Sequence, residues 1–146
     1  MRAWIFLLAA VALSGCEDLL FHDLNEPAGG ADYPPAWVGQ YNGSVDLIRH
    51  FYGVTNPNLS AVMQVQYQGD GRVTASVSAG GRTLRVRDCY PGFSSINCDY
   101  QTGGHLVGAS VSFSGTQASA QFVSYRQESN GTYTALETLR GTFTRR

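Results

Sequence analysis

RVTASVSAGGRTLRVRDC, residues 72–89, decides how this chain folds. Val73, Ala75 and Val77 alternate with Arg72, Thr74, Ser76 and Ser78. A period of two is the signature of a half-buried strand. Gly80-Gly81 then provides a two-residue hairpin turn, because glycine enters positive φ without a Cβ clash. Such a turn pairs Ala79 with Arg82, Val77 with Leu84 and Ala75 with Val86, while Ser76 meets Arg85 on the other face. A slip of one residue would move every apolar side chain to the wrong side.

Two further turns set registers of the same kind. Gly115-Thr116 pairs Phe113 with Ala118, Val111 with Ala120 and Ala109 with Phe122. Asn130-Gly131, a favoured type I′ pair, sets Phe122 against Leu139. Upstream, Trp37, Gly39, Tyr41, Gly43, Val45 and Leu47 fall on alternate positions, as do Leu59, Ala61, Met63, Val65 and Tyr67. Seven strands are expected, near 37–48, 59–67, 72–79, 82–89, 105–114, 117–126 and 132–144, with an eighth candidate between 93 and 102. No stretch of this region sustains a 3.6-residue apolar period. The fold class is therefore all-β. An antiparallel meander of seven to eight strands hides its edges by closing into a small barrel; a sandwich of two short sheets is the alternative.

The opening Trp37-x-Gly39-x-Tyr41-x-Gly43 and the closing Gly141-x-Phe143 resemble the small lipocalin and avidin-like barrels. The resemblance implies an up-and-down barrel. The Gly-x-Trp opening of lipocalins is missing, since Ala36 directly precedes Trp37. No family site is carried over.

The chain has 146 residues, enough for one domain, and a formal charge of −1. All ten basic residues are arginine. The absence of lysine removes Walker-A phosphate binding, Schiff-base chemistry and Ser-Lys catalysis, each of which needs an ε-amine. A near-neutral chain also lacks the basic footprint of a nucleic-acid binder.

Residues 1–16 read MRAWIFLLAAVALSGC. Arg2 precedes an apolar run from Ile5 to Leu13, nine residues long and too short for the roughly 20 needed to cross a bilayer. The run has the proportions of a signal-peptide h-region. The Leu13-Ser14-Gly15-Cys16 that follows resembles the lipobox of bacterial lipoproteins. That resemblance implies a signal peptide over 1–15, cleavage before Cys16 and acylation of its sulfur. Two or three acyl chains exceed what stable anchoring requires, so a lipid-anchored protein of the bacterial envelope is expected. In lipoproteins the residues after the cysteine influence sorting; here they are Glu17 and Asp18, not the Asp that most clearly signals inner-membrane retention, so the resemblance implies the outer rather than the inner membrane. With Cys16 lipidated, Cys89 and Cys98 remain to form a disulfide, which reconciles an odd cysteine count with export.

Residues 16–35 read as a tether, with five acids, no arginine and Pro27, Gly29, Gly30, Pro34 and Pro35. Residues 36–146 hold nine Arg against six acids and form the barrel domain. Neither His22, His50 and His105 nor the cysteines show metal-ligand spacing, and no nucleophile elbow occurs. The expectation is a protein that binds, without cofactor or catalysis.

Two features stand above this background. The first is the loop Cys89-Tyr-Pro-Gly-Phe-Ser-Ser-Ile-Asn-Cys98, with Tyr90, Phe93 and Ile96 inside it and Tyr100 just beyond. A stapled loop bearing aromatics presents an anchor at little entropic cost; alternatively, Phe93 and Ile96 fold inward and cap the barrel. The second is the interior, where Ala61, Ala75, Ala79, Ala109, Ala118, Ala120 and Ala135 either leave a cavity or let a narrow barrel pack solid. Glu137 lies on the inward face and needs a partner, for which Tyr41 is the nearest candidate. Arg85 and Arg87 share an outward face, with Arg72 and Arg82 nearby. The leading expectation is an interaction protein that meets an envelope or external protein with its barrel rim. In architecture it resembles lysozyme- and protease-inhibitor lipoproteins, without an inhibitor motif. The alternative is a lipocalin-like carrier of a small apolar ligand.

Overall fold

A computed structural model describes residues 34–146. The signal segment, Cys16 and the tether through residue 33 lie outside the described residues. Eight strands follow in order: β1 Gly39–Arg49, β2 Val54–Gly69, β3 Arg72–Ala79, β4 Arg82–Cys89, β5 Ser95–Thr102, β6 His105–Ser114, β7 Gln117–Gln127 and β8 Tyr133–Arg145. They form one antiparallel sheet in the order β4-β3-β2-β1-β8-β7-β6-β5. The first and last strands pair along Tyr41 to Arg49, so the sheet curls into a nearly closed barrel and the sandwich alternative falls away.

The turn-derived registers hold. Val77 faces Leu84 and Ala75 faces Val86. Phe113 faces Ala118 and Ala109 faces Phe122. Phe122 also faces Leu139, but for a reason the dipeptide Asn130-Gly131 does not contain. The β7–β8 turn spans residues 128–132, closed by Glu128 N–H donating to the Thr132 carbonyl at 2.8 Å. That loop shifts the pairing by one residue, and a bulge opposite Ser124 and Tyr125 shifts it back. The bulge also explains Ala135, the one alanine of the expected interior set that is not buried.

Strand β2 begins five residues earlier than its alternation suggests. Pro57 has no N–H to give a ladder, so the sequence there reads as a break. The chain accommodates it with a bulge between Val45 and Leu47 of β1 and their partners. Asn58, at φ 54°, donates its N–H to Asp46 Oδ1 at 3.0 Å.

Strands β4 and β5 are the sheet's two edges. The Cys89–Cys98 disulfide ties them together across a Cα–Cα distance of 5.7 Å. Cys98 sits inside β5, opposite Ala109, so the bridge staples a seam as well as closing a loop. Arg85 and Arg87 stand exposed on the outer face of β4, where charge discourages edge-to-edge association.

The core is one layer of inward side chains, with Tyr41, Leu47, Met63, Val77, Ile96, Phe122 and Leu139 fully buried. Six of the small inward residues are alanines, each buried among the larger apolar side chains of the core.

Candidate functional site

An antiparallel meander sorts its connections between two ends. The β1–β2, β3–β4, β5–β6 and β7–β8 turns surround one end, which we call the mouth. The other end, the base, holds the remaining turns, the entry at Trp37 and the C-terminus.

The base is shut by aromatic packing. Trp37 stacks on Phe113 with ring centroids 4.4 Å apart and planes within 6°. Tyr41 lies against the same ring at 5.8 Å. The Tyr41 hydroxyl donates to the Trp37 carbonyl at 2.6 Å, and Trp37 Nε1 donates to the Phe93 carbonyl at 3.1 Å. Burial pushes the Tyr41 phenol up, against the opposing pull of the Arg145 guanidinium. Arg145 in turn donates to the carbonyls of Ala36 and Val38, locking the last strand over the first.

The stapled loop lies at this end, and the strand pleat divides its residues. Phe93 is fully exposed and Tyr90 is largely so. Ile96 is 0% exposed, and Tyr100 packs partly buried against the core. Both sit on the inward parity of β5, so neither faces a partner, which corrects the grouping of four into one surface. Phe93 does not plug the barrel. The change Phe93→Ala is therefore expected to leave folding stability within about 0.5 kcal/mol, as for other surface substitutions. A urea titration of the variant checks this, and a loss of several kcal/mol would place the ring in the core instead.

The mouth is built differently. Its inward positions carry charge: Arg49 ends β1, Arg82 opens β4, Arg126 lies near the end of β7 and Glu137 faces Arg49 across the β1–β8 seam. Arg82 crosses from β4 to β8, four strands away in the sheet, and places Nη2 3.3 Å from Glu137 Oε1. Arg49 Nε approaches the same oxygen at 3.7 Å. The Glu137 side chain is only 17% exposed. Tyr41, its expected partner, sits eight residues down β1 at the base, about 26 Å along the strand. The two belong to opposite ends of the barrel, and arginines take the tyrosine's place.

The arginine face expected around β4 is likewise split. Arg72 pairs with Asp88 at 3.1 Å and Asp70 at 3.6 Å, and Arg82 turns into the mouth. A sequence signal for this exists: Arg82 shares its parity with the buried Leu84 and Val86, as Arg49 does with Val45 and Leu47.

These charged groups line a cleft of about 720 Å³ that opens to solvent. Phe51, Tyr52, Val54 and Leu136 supply its apolar wall. Phe51 and Tyr52 meet edge to face at 5.2 Å on the lip, and both are exposed. Arg126 gives two hydrogen bonds, at 3.0 and 3.3 Å, to Glu128 on the rim. Those bonds are the first cause holding the Glu128 carboxyl below its usual range, with Thr134 the second. Arg49 Nε is buried without a hydrogen-bond partner among the described residues. Among the described residues no cluster of three or more His, Cys, Asp or Glu is placed to hold a metal ion.

No protein-family model and no curated protein matches the chain. Among solved structures it is similar to a protein of unknown function from the DUF3598 family of Nostoc punctiforme, at 15% identity and a TM-score of 0.46. The likeness covers 75% of this chain and 47% of that one, so this chain spans about half the length of that structure.

Proposed function

We propose that this chain is a lipid-anchored protein of a bacterial envelope whose barrel binds a small ligand at its mouth and performs no chemistry on it. The observation that carries the binding function is the asymmetry of the barrel. Trp37 and Phe113 stack the base shut, while the mouth opens into a cleft of about 720 Å³. Small-molecule sites occupy roughly 300–1,000 Å³ and combine apolar walls with a few placed polar groups. A cavity preformed on a sheet that is closed at one end also costs little ordering on binding. The cleft favours the carrier function over the protein-interaction one, with its polar contacts at the rim rather than deep inside.

The test uses residues 17–146, which contain every strand and the core found among the described residues, and N-phenylnaphthylamine, an uncharged apolar fluorophore. Saturable one-site binding is expected. Ser124 lines the cleft, and Ser124→Trp should fill it and abolish that binding with the sheet intact by circular dichroism. Equal binding by the parent and the filled variant would overturn the mouth as the site.

The anchor rests on the lipobox at residues 13–16. Cys16→Ser removes the acyl acceptor, so metabolic labelling with a palmitate analogue should fall to background and uncleaved precursor should accumulate. Equal label in variant and parent would exclude lipidation at this residue.

Exposed Tyr90 and Phe93 favour a second function at the base, contact with another envelope or external protein. There Phe93→Ala would weaken binding to that protein by about 2 kcal/mol, the scale of an interface anchor.

A further inference from the structure

We propose that the mouth selects an amphiphile with one anionic head group, a carboxylate or a phosphate, seated on Arg49 and Arg82. This rests on the ligand-binding function proposed above and names the chemical class of the ligand.

The donors outnumber what receives them. Arg49 and Arg82 converge on a single oxygen of Glu137, at 3.7 and 3.3 Å. Each guanidinium carries five N–H donors, and one carboxylate has sites for about four hydrogen bonds. Arg49 Nε is buried and has no hydrogen-bond acceptor among the described residues. Charge points the same way. Three guanidinium groups, of Arg49, Arg82 and Arg126, face the two carboxylates of Glu137 and Glu128. One positive charge is left over in the mouth, and Arg126 is already held by Glu128.

The walls exclude a bare anion as the preferred occupant. Phe51, Tyr52, Val54 and Leu136 stand beside the arginines, and an inorganic ion would leave that apolar surface wet. A wholly apolar ligand binds the same cleft more weakly than an amphiphile, because it desolvates the guanidinium groups without giving them a hydrogen bond. An amphiphile satisfies both halves of the cleft. Its head group binds the planar forks of arginine, which match carboxylate and phosphate geometry, and its tail covers the lip.

The experiment is calorimetric titration of residues 17–146 with dodecanoate, dodecyl phosphate, dodecanol, dodecylammonium and inorganic phosphate, the amphiphiles kept below their micelle concentrations. Dodecanoate and dodecyl phosphate should bind about tenfold or more tighter than dodecanol and dodecylammonium, the scale of a charge-assisted hydrogen bond. Arg82→Gln, at a half-exposed position beside a turn, should remove most of that preference. Glu137→Gln should tighten dodecanoate binding, because the competing carboxylate is gone. Equal affinity for dodecanol and dodecanoate would overturn the head-group assignment and leave the ligand-binding mouth standing. Inorganic phosphate binding as tightly as dodecyl phosphate would reduce the mouth to a bare anion site. Failure of every amphiphile to bind would remove both the assignment and the mouth's proposed function.

Discussion

Gly141→Ala is expected to cost the fold about 3 kcal/mol, at the upper end of what overpacking a closed interior usually costs. The reason is the seam between the first and last strands. A Cβ on Gly141 would stand 1.9 Å from the Ser44 carbonyl oxygen and 2.8 Å from Val45 Cα. Across the seam, a Cβ on Gly43 would stand 2.0 Å from the Thr142 carbonyl oxygen. These neighbours are backbone, so no side-chain rotation relieves the contact. The two strands must separate, and the β1–β8 ladder that closes the barrel separates with them. Gly104→Ala is the control, since a Cβ there meets nothing within 4 Å. It should change stability by less than about 0.5 kcal/mol. Urea titrations of both variants decide the matter, with the shift in midpoint at constant slope as the readout. Equal stability of the two would mean that the seam is looser than its geometry.

Removing the disulfide is the second large effect. Cys89→Ala with Cys98→Ala should lower stability by roughly 2–3 kcal/mol, from the loop-closure entropy returned to the unfolded chain. The loss should not be uniform. Strands β4 and β5 are the sheet's edges, and the bridge is the covalent link between them. Amide exchange in these two strands should therefore accelerate more than exchange in β1 and β8, which pair on both sides. The double variant still folds, because the hairpin registers lie outside the bridge. Thiol titration of the unfolded, non-reduced protein supplies the complementary check. Two reactive thiols at 89 and 98 would refute the pairing.

The two effects divide the barrel into a seam closed by hydrogen bonds and a seam closed by sulfur. Fine geometry matters at the first and chain connectivity at the second. The first seam carries the Arg49–Glu137 pair of the mouth and the second does not, so only the disulfide variant should leave the ligand binding proposed for the mouth unchanged.

Much of this architecture is local, and local features are legible in the chain. Alternation assigned inward and outward faces along β3, β4, β6 and β7, and the glycine turns at 80–81 and 115–116 aligned them in pairs. Strand β5 is the weakest signal, because its alternating apolar positions Ile96, Cys98 and Tyr100 are few and follow a loop with Pro91 and Gly92. Its turn, Gly103-Gly104 between Thr102 and His105, carried the same signal as Gly80-Gly81 and would have set its register. The five-residue β7–β8 loop and its compensating bulge were not legible. A bulge cancels a register shift without any preferred dipeptide to mark it.

The sequence by itself determined the all-β class, most strands and the two hairpin registers set by the turns at 80–81 and 115–116, because each depends on residues close together in the chain. The lipobox resemblance implied lipid on Cys16, which leaves Cys89 and Cys98 to pair, and the structure joins those two. The tertiary structure alone decided how the meander closes, and everything at the two ends follows from that closure. Parity says that Arg82 and Glu137 point inward, but they meet only because β4 and β8 face each other across the barrel. In the same way the pleat of β5 buries Ile96 while the turn before it leaves Phe93 in solvent. Faces are set by a two-residue period within a strand. Which faces oppose each other is set by the curvature of the whole sheet, a non-local quantity that no short stretch encodes.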